Sequence, residues 1–426
     1  MQKIKQIVLL IESPFNYRDY QRFGIEIFIK NGFQVSVWDC TGFLHPQVYQ
    51  FVRPPDEFEF KNCMQFCFKK KAIDAINSCE QDTFFIVLLG YGIKSWHLFR
   101  ALSKKKIPYG LFGSNTIPSV DLGGNRHALL KKIRSLTPRK VANKIFLKIP
   151  PKLLKINAAS FLLCGGASTV IKRPLVDNNT HLLWIHTLDY DLYLNSIRLG
   201  NNAKSFSFLK ETSAIPSEEN SCIALQHEAV VDRNASEIEE RVAIFLDEYA
   251  PFHPDFIHQG TTSPVTPEKY YPALCHFFDL IELEFDLKVV IAAHPRSKYE
   301  EMPDFFNGRK VIRGKTLNLV QKSMLVLLHC STSINFSVLY KKPMVFITTD
   351  ELERSLYGKM ISYFGSYFKK TPINISNYTN INIFREREFY VYSEGYSKYK
   401  HNHIKKHGTE NTPFWQAVCD QLCNEI

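Results

Sequence analysis

A histidine and a proline close the apolar run Ile291-Ala292-Ala293-His294-Pro295, with Arg296 and Ser297 directly behind. A buried strand of this kind delivers the imidazole to its carboxyl end. Proline stops the strand there, and a ring N–H can donate to a phosphate oxygen. About one βαβ unit later a second apolar run, 324–328, is followed by His329-Cys330, then Ser331, Thr332 and Ser333, then Ile334-Asn335. Hydroxyls and unpaired amides at a strand-to-helix turn receive anions. Either motif alone also reads as a loop histidine or a plain helix cap. The two in order, on successive strands, point to a phosphate cradle that stabilises a leaving group.

Carboxylates supply the second half of the chemistry. Asp247 and Glu248 follow the apolar run 242–246, with His253 just beyond, and are candidates for holding a donor hydroxyl or ribose. Transfer to a hydroxyl also needs a base that removes its proton. Asp189 and Asp191 follow the run 182–186 and rank ahead of Glu12, which follows 7–11; Asp19 lies in the same loop region as Glu12. The triplet Asp189-Tyr190-Asp191 also fits a metal-binding pattern of a different transferase fold, but a lone instance is weak, and no metal is expected.

The order strand, His-Pro, strand, Ser-Thr-Ser, helix, Lys-Pro, strand resembles the donor lobe of GT-B-type bacterial transferases with cytidine-activated donors. These are the CMP-sialic acid transferases and polysialyltransferases, and the CDP-glycerol glycerophosphotransferases. The matching positions are His294, Pro295, Ser331, Thr332, Ser333, Lys342 and Pro343. The resemblance implies that His294 and the three hydroxyls contact the nucleotide phosphate. It covers roughly 240–350, and the family's acidic-acidic-Gly motif has no clean counterpart in the first half. The implied function is transfer of a sugar, a CMP-activated nonulosonate, to a bacterial surface glycan. The alternatives are CDP-glycerol-type polyol-phosphate transfer, a sugar-nucleotide epimerase of the same architecture, or a non-catalytic scaffold of a polysaccharide assembly complex. The co-substrate is a nucleotide sugar, with no further cofactor.

The elements that must position these residues repeat a simple pattern. Apolar runs at 7–11, 34–38, 84–89, 109–112, 160–164 and 182–186 alternate with helical stretches at 20–30 and 96–103. Gly90, Gly92, Gly113, Gly165 and Gly166 follow strands and could shape an acceptor pocket with Ser114 and Asn115. Strand, turn, helix, repeated, means parallel βαβ units. The pattern restarts at 242–246 after a polar stretch, 213–236. The expected fold is therefore α/β: two Rossmann-like domains facing each other across a cleft. The first, 1–225, binds acceptor. The second, 237–405, binds the nucleotide sugar. A final helix within 406–426 returns toward the first.

Composition limits the rest. The ten cysteines lack zinc-site spacing and read as reduced core thiols. The opening Met-Gln-Lys-Ile-Lys runs straight into 7–11, which reads as a strand rather than a secretory leader. No stretch reaches the ~20 apolar residues of a membrane helix. The net charge of +11 concentrates in one place: Arg126, Lys131, Lys132, Arg134, Arg139, Lys140, Lys144, Lys148, Lys152 and Lys155, with no acidic residue between Arg126 and Lys155. Apolar residues interleave at near-helical spacing, which suits an anionic membrane surface and a lipid-linked acceptor. A solvated helical face is the plainer alternative. No nucleic-acid motif accompanies the patch. The expected location is cytoplasmic, peripheral at the inner membrane face.

Overall fold

The computed structural model describes residues 3–46, 58–113, 118, 138–170, 173–209, 241–259, 261–378 and 385–424. Its central strands are short apolar runs buried on both faces, as parallel sheets covered by helices require, while several edge strands are partly exposed. In the first lobe they are β1 (Gln6–Ile11), β2 (Gln34–Asp39), β3 (Cys63–Gln65), β4 (Thr83–Val87), β5 (Tyr109–Phe112), β6 (Phe161–Cys164) and β7 (His181–Trp184). They pair in parallel in the order β3-β2-β1-β4-β5-β6-β7. The second lobe contains β8 (Val242–Leu246), β9 (Lys288–Ala293), β10 (Val311–Arg313), β11 (Leu325–Leu328), β12 (Met344–Thr348) and β13 (Ile373–Asn374). Their order is β10-β9-β8-β11-β12-β13, again parallel. This is the two-lobed GT-B architecture. Each sheet reverses its strand order once, between β1 and β4 and between β8 and β11. Ligands of doubly wound sheets bind in the crevice at such a reversal.

Three local features depart from the sequence expectation. The helix expected over 20–30 is two helices, Tyr17–Arg22 and Ile25–Lys30, because Gly24 between them adopts φ 65°. A side chain at Gly24 would also collide with Trp415, whose Cγ lies 2.2 Å from the ideal Cβ position. The strand expected over 182–186 ends at Trp184, and a 22-residue helix, Leu188–Leu209, follows it. Asp189 and Asp191 therefore sit in the first turn of a helix, where acidic side chains complement the unpaired amides. The region from 356 to 404, unassigned from the sequence, adds helices Leu356–Tyr367 and Ser393–Tyr399. The polar stretch 213–236, Ser114, Asn115 and residues 126–137 of the basic segment lie outside the described residues.

Two elements join the lobes. Helix Leu188–Leu209 sends Tyr190 into the apolar core of the second lobe, and its Ser196 hydroxyl meets the Tyr340 hydroxyl at 2.6 Å. The chain then returns at the C-terminus. Thr187 N–H donates to Ile404 O at 2.9 Å, and the backbone of 402–403 passes so close to Gly166 that a Cβ there would lie 2.2 Å from Asn402 O. Helix Phe414–Asn424 completes the first lobe: Phe414, Trp415, Val418, Cys419 and Leu422 are buried with Phe23, Ile25 and Phe28. Gly24→Ala is expected to destabilise the protein by about 2 kcal/mol or more, from left-handed strain plus displacement of a buried indole. Urea unfolding followed by tryptophan fluorescence measures it.

Candidate functional site

The carboxyl edge of the second sheet is built around Asp247. Its carboxylate is 4% exposed and accepts from Tyr249 N–H (2.9 Å), His294 N–H (3.1 Å) and the Tyr299 hydroxyl (3.1 Å). Burial pushes its pKa up to about 6 against the pull of these hydrogen bonds. The expected ligand-binding aspartate is thus a brace behind the site, tying the end of β8 to the end of β9. Glu248 turns the other way. Its Oε1 accepts Cys330 N–H at 2.7 Å, at the β8–β11 reversal, and burial raises its pKa to about 7.

His294 is presented by this brace. Its Nδ1 accepts Arg296 N–H at 3.2 Å, which assigns the ring proton to Nε2. Burial, then the neighbouring His253, Arg296 and Arg18, pull its pKa down to about 3. The ring is therefore neutral, with one N–H to donate. His253 packs against it at 4.7 Å, and the Arg296 guanidinium is steadied by Asp255 at 2.9 Å. Pro295 marks the end of the strand between them.

Ser331, Thr332 and Ser333 follow β11 as expected, with Thr332 exposed. Ser331 Oγ accepts Ser333 N–H at 3.3 Å, and the Ser333 side chain makes no capping bond. The helix behind them, Ile334–Leu339, has only six residues, so its dipole is small and the hydroxyls matter more. The strand beneath is held by His329, which bonds Ile347 O at 2.7 Å through Nδ1 and the Tyr270 hydroxyl at 2.8 Å through Nε2.

Across the cleft stands helix Tyr17–Arg22 of the first lobe. The Arg18 side chain is solvent-exposed, yet protein on both sides strips enough water to lower its pKa, with Arg22 and Arg296 adding to the effect. Among the described residues it has no hydrogen bond or ion pair. Asp19 is 7% exposed, and its carboxylate likewise has no partner among the described residues. Burial raises its pKa; Arg18, Arg22 and Arg296 pull it back. Arg18 and Asp19 thus answer electrostatically to Arg296 of the opposite lobe. Sequence reasoning placed Asp19 in this loop and missed Arg18 and Arg22. The available signal was the run Arg18-Asp19-Tyr20-Gln21-Arg22 just after the first strand.

The structure does not bring the other three carboxylates together. Asp189 is half-buried at the lobe junction and accepts from Asn335 Nδ2–H at 2.8 Å. Asp191 gives both oxygens to Phe414 N–H, at 3.1 and 2.9 Å, and lies 3.4 Å from His186 Nε2. It caps the returning C-terminal helix. Because Asp189 and Asp191 engage different partners, the triplet does not form one site. Glu12 bridges the first sheet's reversal, accepting Gly90 N–H at 3.0 Å and facing His45 Nε2 at 3.2 Å.

No family model and no curated protein matches this chain. Solved structures of similar shape do exist. UDP-GlcNAc 2-epimerase from Neisseria meningitidis, bound to UDP-GlcNAc, is 12% identical with a TM-score of 0.46 over 99% of this chain and 100% of its own. MurG from Acinetobacter baumannii is 11% identical, with a TM-score of 0.46 over 99% and 100%. The wall teichoic acid polymerase TagF is 10% identical, with a TM-score of 0.48 over 99% and 88%.

Glu248 makes stability pH-dependent. Its folded pKa, about 7, lies above the ordinary 4.5, so the folded state holds the proton more tightly than the unfolded one. The stability this provides is complete below about pH 4.5 and is lost as pH rises toward 7. Glu248→Gln is therefore expected to resist urea better than wild type at pH 7.5 and equally at pH 4.5, in paired denaturation curves.

Proposed function

We propose that the chain is a metal-independent, inverting glycosyltransferase that moves a sugar from a nucleotide donor to a glycan acceptor. The observation that carries this is the facing pair: a neutral His294 beside Arg296 on one lobe, and Arg18 beside an unpartnered, buried Asp19 on the other. In this reading the donor phosphate accepts from His294 Nε2–H, the guanidiniums of Arg296 and Arg18, and the hydroxyls of Ser331, Thr332 and Ser333. Asp19 removes the proton from an acceptor hydroxyl, whose oxygen attacks the anomeric carbon. The anomeric C–O bond to phosphate breaks, and the electron pair leaves on the nucleotide, where the cations and His294 hold the added charge. Asp19 replaces Asp189, Asp191 and Glu12 as the base in this scheme, since each of those carboxylates already has a protein donor.

The donor in this proposal is a CMP-activated nonulosonate, and the acceptor a bacterial surface glycan or its lipid-linked form. The support is the motif order around His294, Ser331 to Ser333, Lys342 and Pro343. CDP-glycerol-type polyol-phosphate transfer uses the same cradle, and a non-catalytic scaffold would leave it empty. No helix among the described residues is long and apolar enough to cross a membrane, so this reading holds the enzyme to the inner membrane face as a peripheral protein.

A thermal-shift panel of CMP, CDP and UDP tests the donor. A ligand at 100 times its Kd adds about 2.7 kcal/mol of stability. Stabilisation by CMP that disappears in His294→Ala is the expected result. Preference for CDP or UDP changes the donor class, and no response to any nucleotide overturns the transferase reading in favour of the scaffold. Asp19→Asn is expected to lower kcat by about 10²–10⁴-fold while keeping the nucleotide shift. Arg18→Met is expected to lower kcat by about 10²-fold. Unchanged turnover in Asp19→Asn would return the base to Asp189 or Glu12.

A further inference from the structure

The first lobe carries a surface that its own packing does not explain. Helix Pro138–Phe146 buries Phe146 against Tyr91 and Trp96, with ring centroids at 5.6 and 6.1 Å. The residues around that anchor point outward: Val141 is 38% exposed, Ile145 61%, Leu147 41% and Leu153 75%. A monomer normally has no reason to leave four large aliphatic side chains in water within thirteen residues of chain. Lys144, Lys148, Lys152 and Lys155 alternate with them, all exposed, and no acidic residue lies between 138 and 155. Aliphatic side chains framed by lysines fit one environment closely. The apolar groups enter the acyl boundary of a bilayer while the ammonium groups sit among anionic headgroups.

This surface is also coupled to the catalytic edge. Asn143, on the same helix, accepts Ile93 N–H at 2.9 Å through Oδ1 and fills the space a side chain at Gly92 would need. Gly92 and Ile93 belong to the turn after β4, and Gly90 at its start donates to Glu12 at the strand-order reversal of the first sheet. Two hydrogen bonds therefore separate the exposed lysine-framed face from the crevice where this fold accepts ligands.

We infer that Val141, Ile145, Leu147 and Leu153, framed by Lys144, Lys148, Lys152 and Lys155, dock the protein on an anionic phospholipid bilayer and present the first-lobe crevice to a membrane-anchored acceptor. The acceptor half of this statement rests on the transferase reading; the docking half does not. Positive charge selects an anionic surface, and the lack of acidic residues disfavours a second copy of this basic chain.

The test is sedimentation of the full chain with phosphatidylglycerol vesicles and with phosphatidylcholine vesicles, alongside the CMP thermal shift. Wild type is expected to sediment with phosphatidylglycerol and not with phosphatidylcholine. The exposed pair Ile145→Asp with Leu153→Asp is expected to bind at least tenfold more weakly, with its unfolding temperature unchanged. Replacing Lys144 and Lys148 with glutamine should weaken binding and reduce its salt sensitivity. Wild type that ignores phosphatidylglycerol, a double variant that binds as wild type, or a wild-type dimer that the double variant dissolves would each overturn the inference. A nucleotide shift without vesicle binding sinks this inference alone, whereas vesicle binding without a nucleotide shift sinks the transferase reading alone.

Discussion

The indole of Trp415 holds the cleft-facing helix of the first lobe in place. Its Nε1–H donates to Arg22 O at 2.7 Å, and its ring fills the space over Gly24 that any other residue would block. That contact fixes the break between the two short helices after β1. It therefore fixes the direction of Tyr17–Arg22, the helix that carries Arg18 and Asp19 toward the second lobe. The last helix of the chain, almost 400 residues away in sequence, is what aims the first one. Asp191 matters for the same reason. By capping Phe414 it anchors the start of the helix that carries Trp415.

Positive charge gathers where the two lobes face each other, with Arg18 and Arg22 on one side and Arg296 on the other. Arg22 and Arg296 both press on the charge of Arg18, which burial already disfavours. His294 is held neutral by burial first, and then by His253, Arg296 and Arg18. A neutral imidazole costs little to desolvate and still offers one N–H. In the proposed reaction the donor phosphodiester, a monoanion, accepts this N–H, and the hydrogen bond strengthens as a second charge builds on the leaving oxygen. Asp19 sits in the same field. Burial raises its pKa, and the guanidiniums of Arg18, Arg22 and Arg296 oppose that push.

The sheets were legible because buried parallel strands are plain apolar runs, and the ends of those runs already located His294, Glu248 and Ser331. Residues whose roles depend on distant partners were not legible. Asp191 reads as one member of an acidic triplet until Phe414, 223 positions away, is seen to donate to it. Asp247 looks like a ligand-binding group at a strand end, but two of its three donors, His294 and Tyr299, lie 47 and 52 positions away. Helix Leu188–Leu209 was hidden for a different reason. It packs against both lobes, so its apolar residues do not fall on a single face and no clear period marks it. Gly24 could not be read as a helix break without Trp415 above it.

Asp189 connects these two levels. It takes one hydrogen bond from Asn335, in the first turn of the helix that follows Ser331 to Ser333, and it feels Arg22 and Arg18 from the other side. A phosphate seated on the hydroxyl loop would act on that helix directly. A phosphate drawing Arg18 forward would change the field at the same carboxylate. Asp189 is half-buried at the junction, and burial is the main upward push on its pKa. Asp189, expected with Asp191 as a base ahead of Glu12, instead joins the helix behind the hydroxyl loop to the field of Arg22 and Arg18.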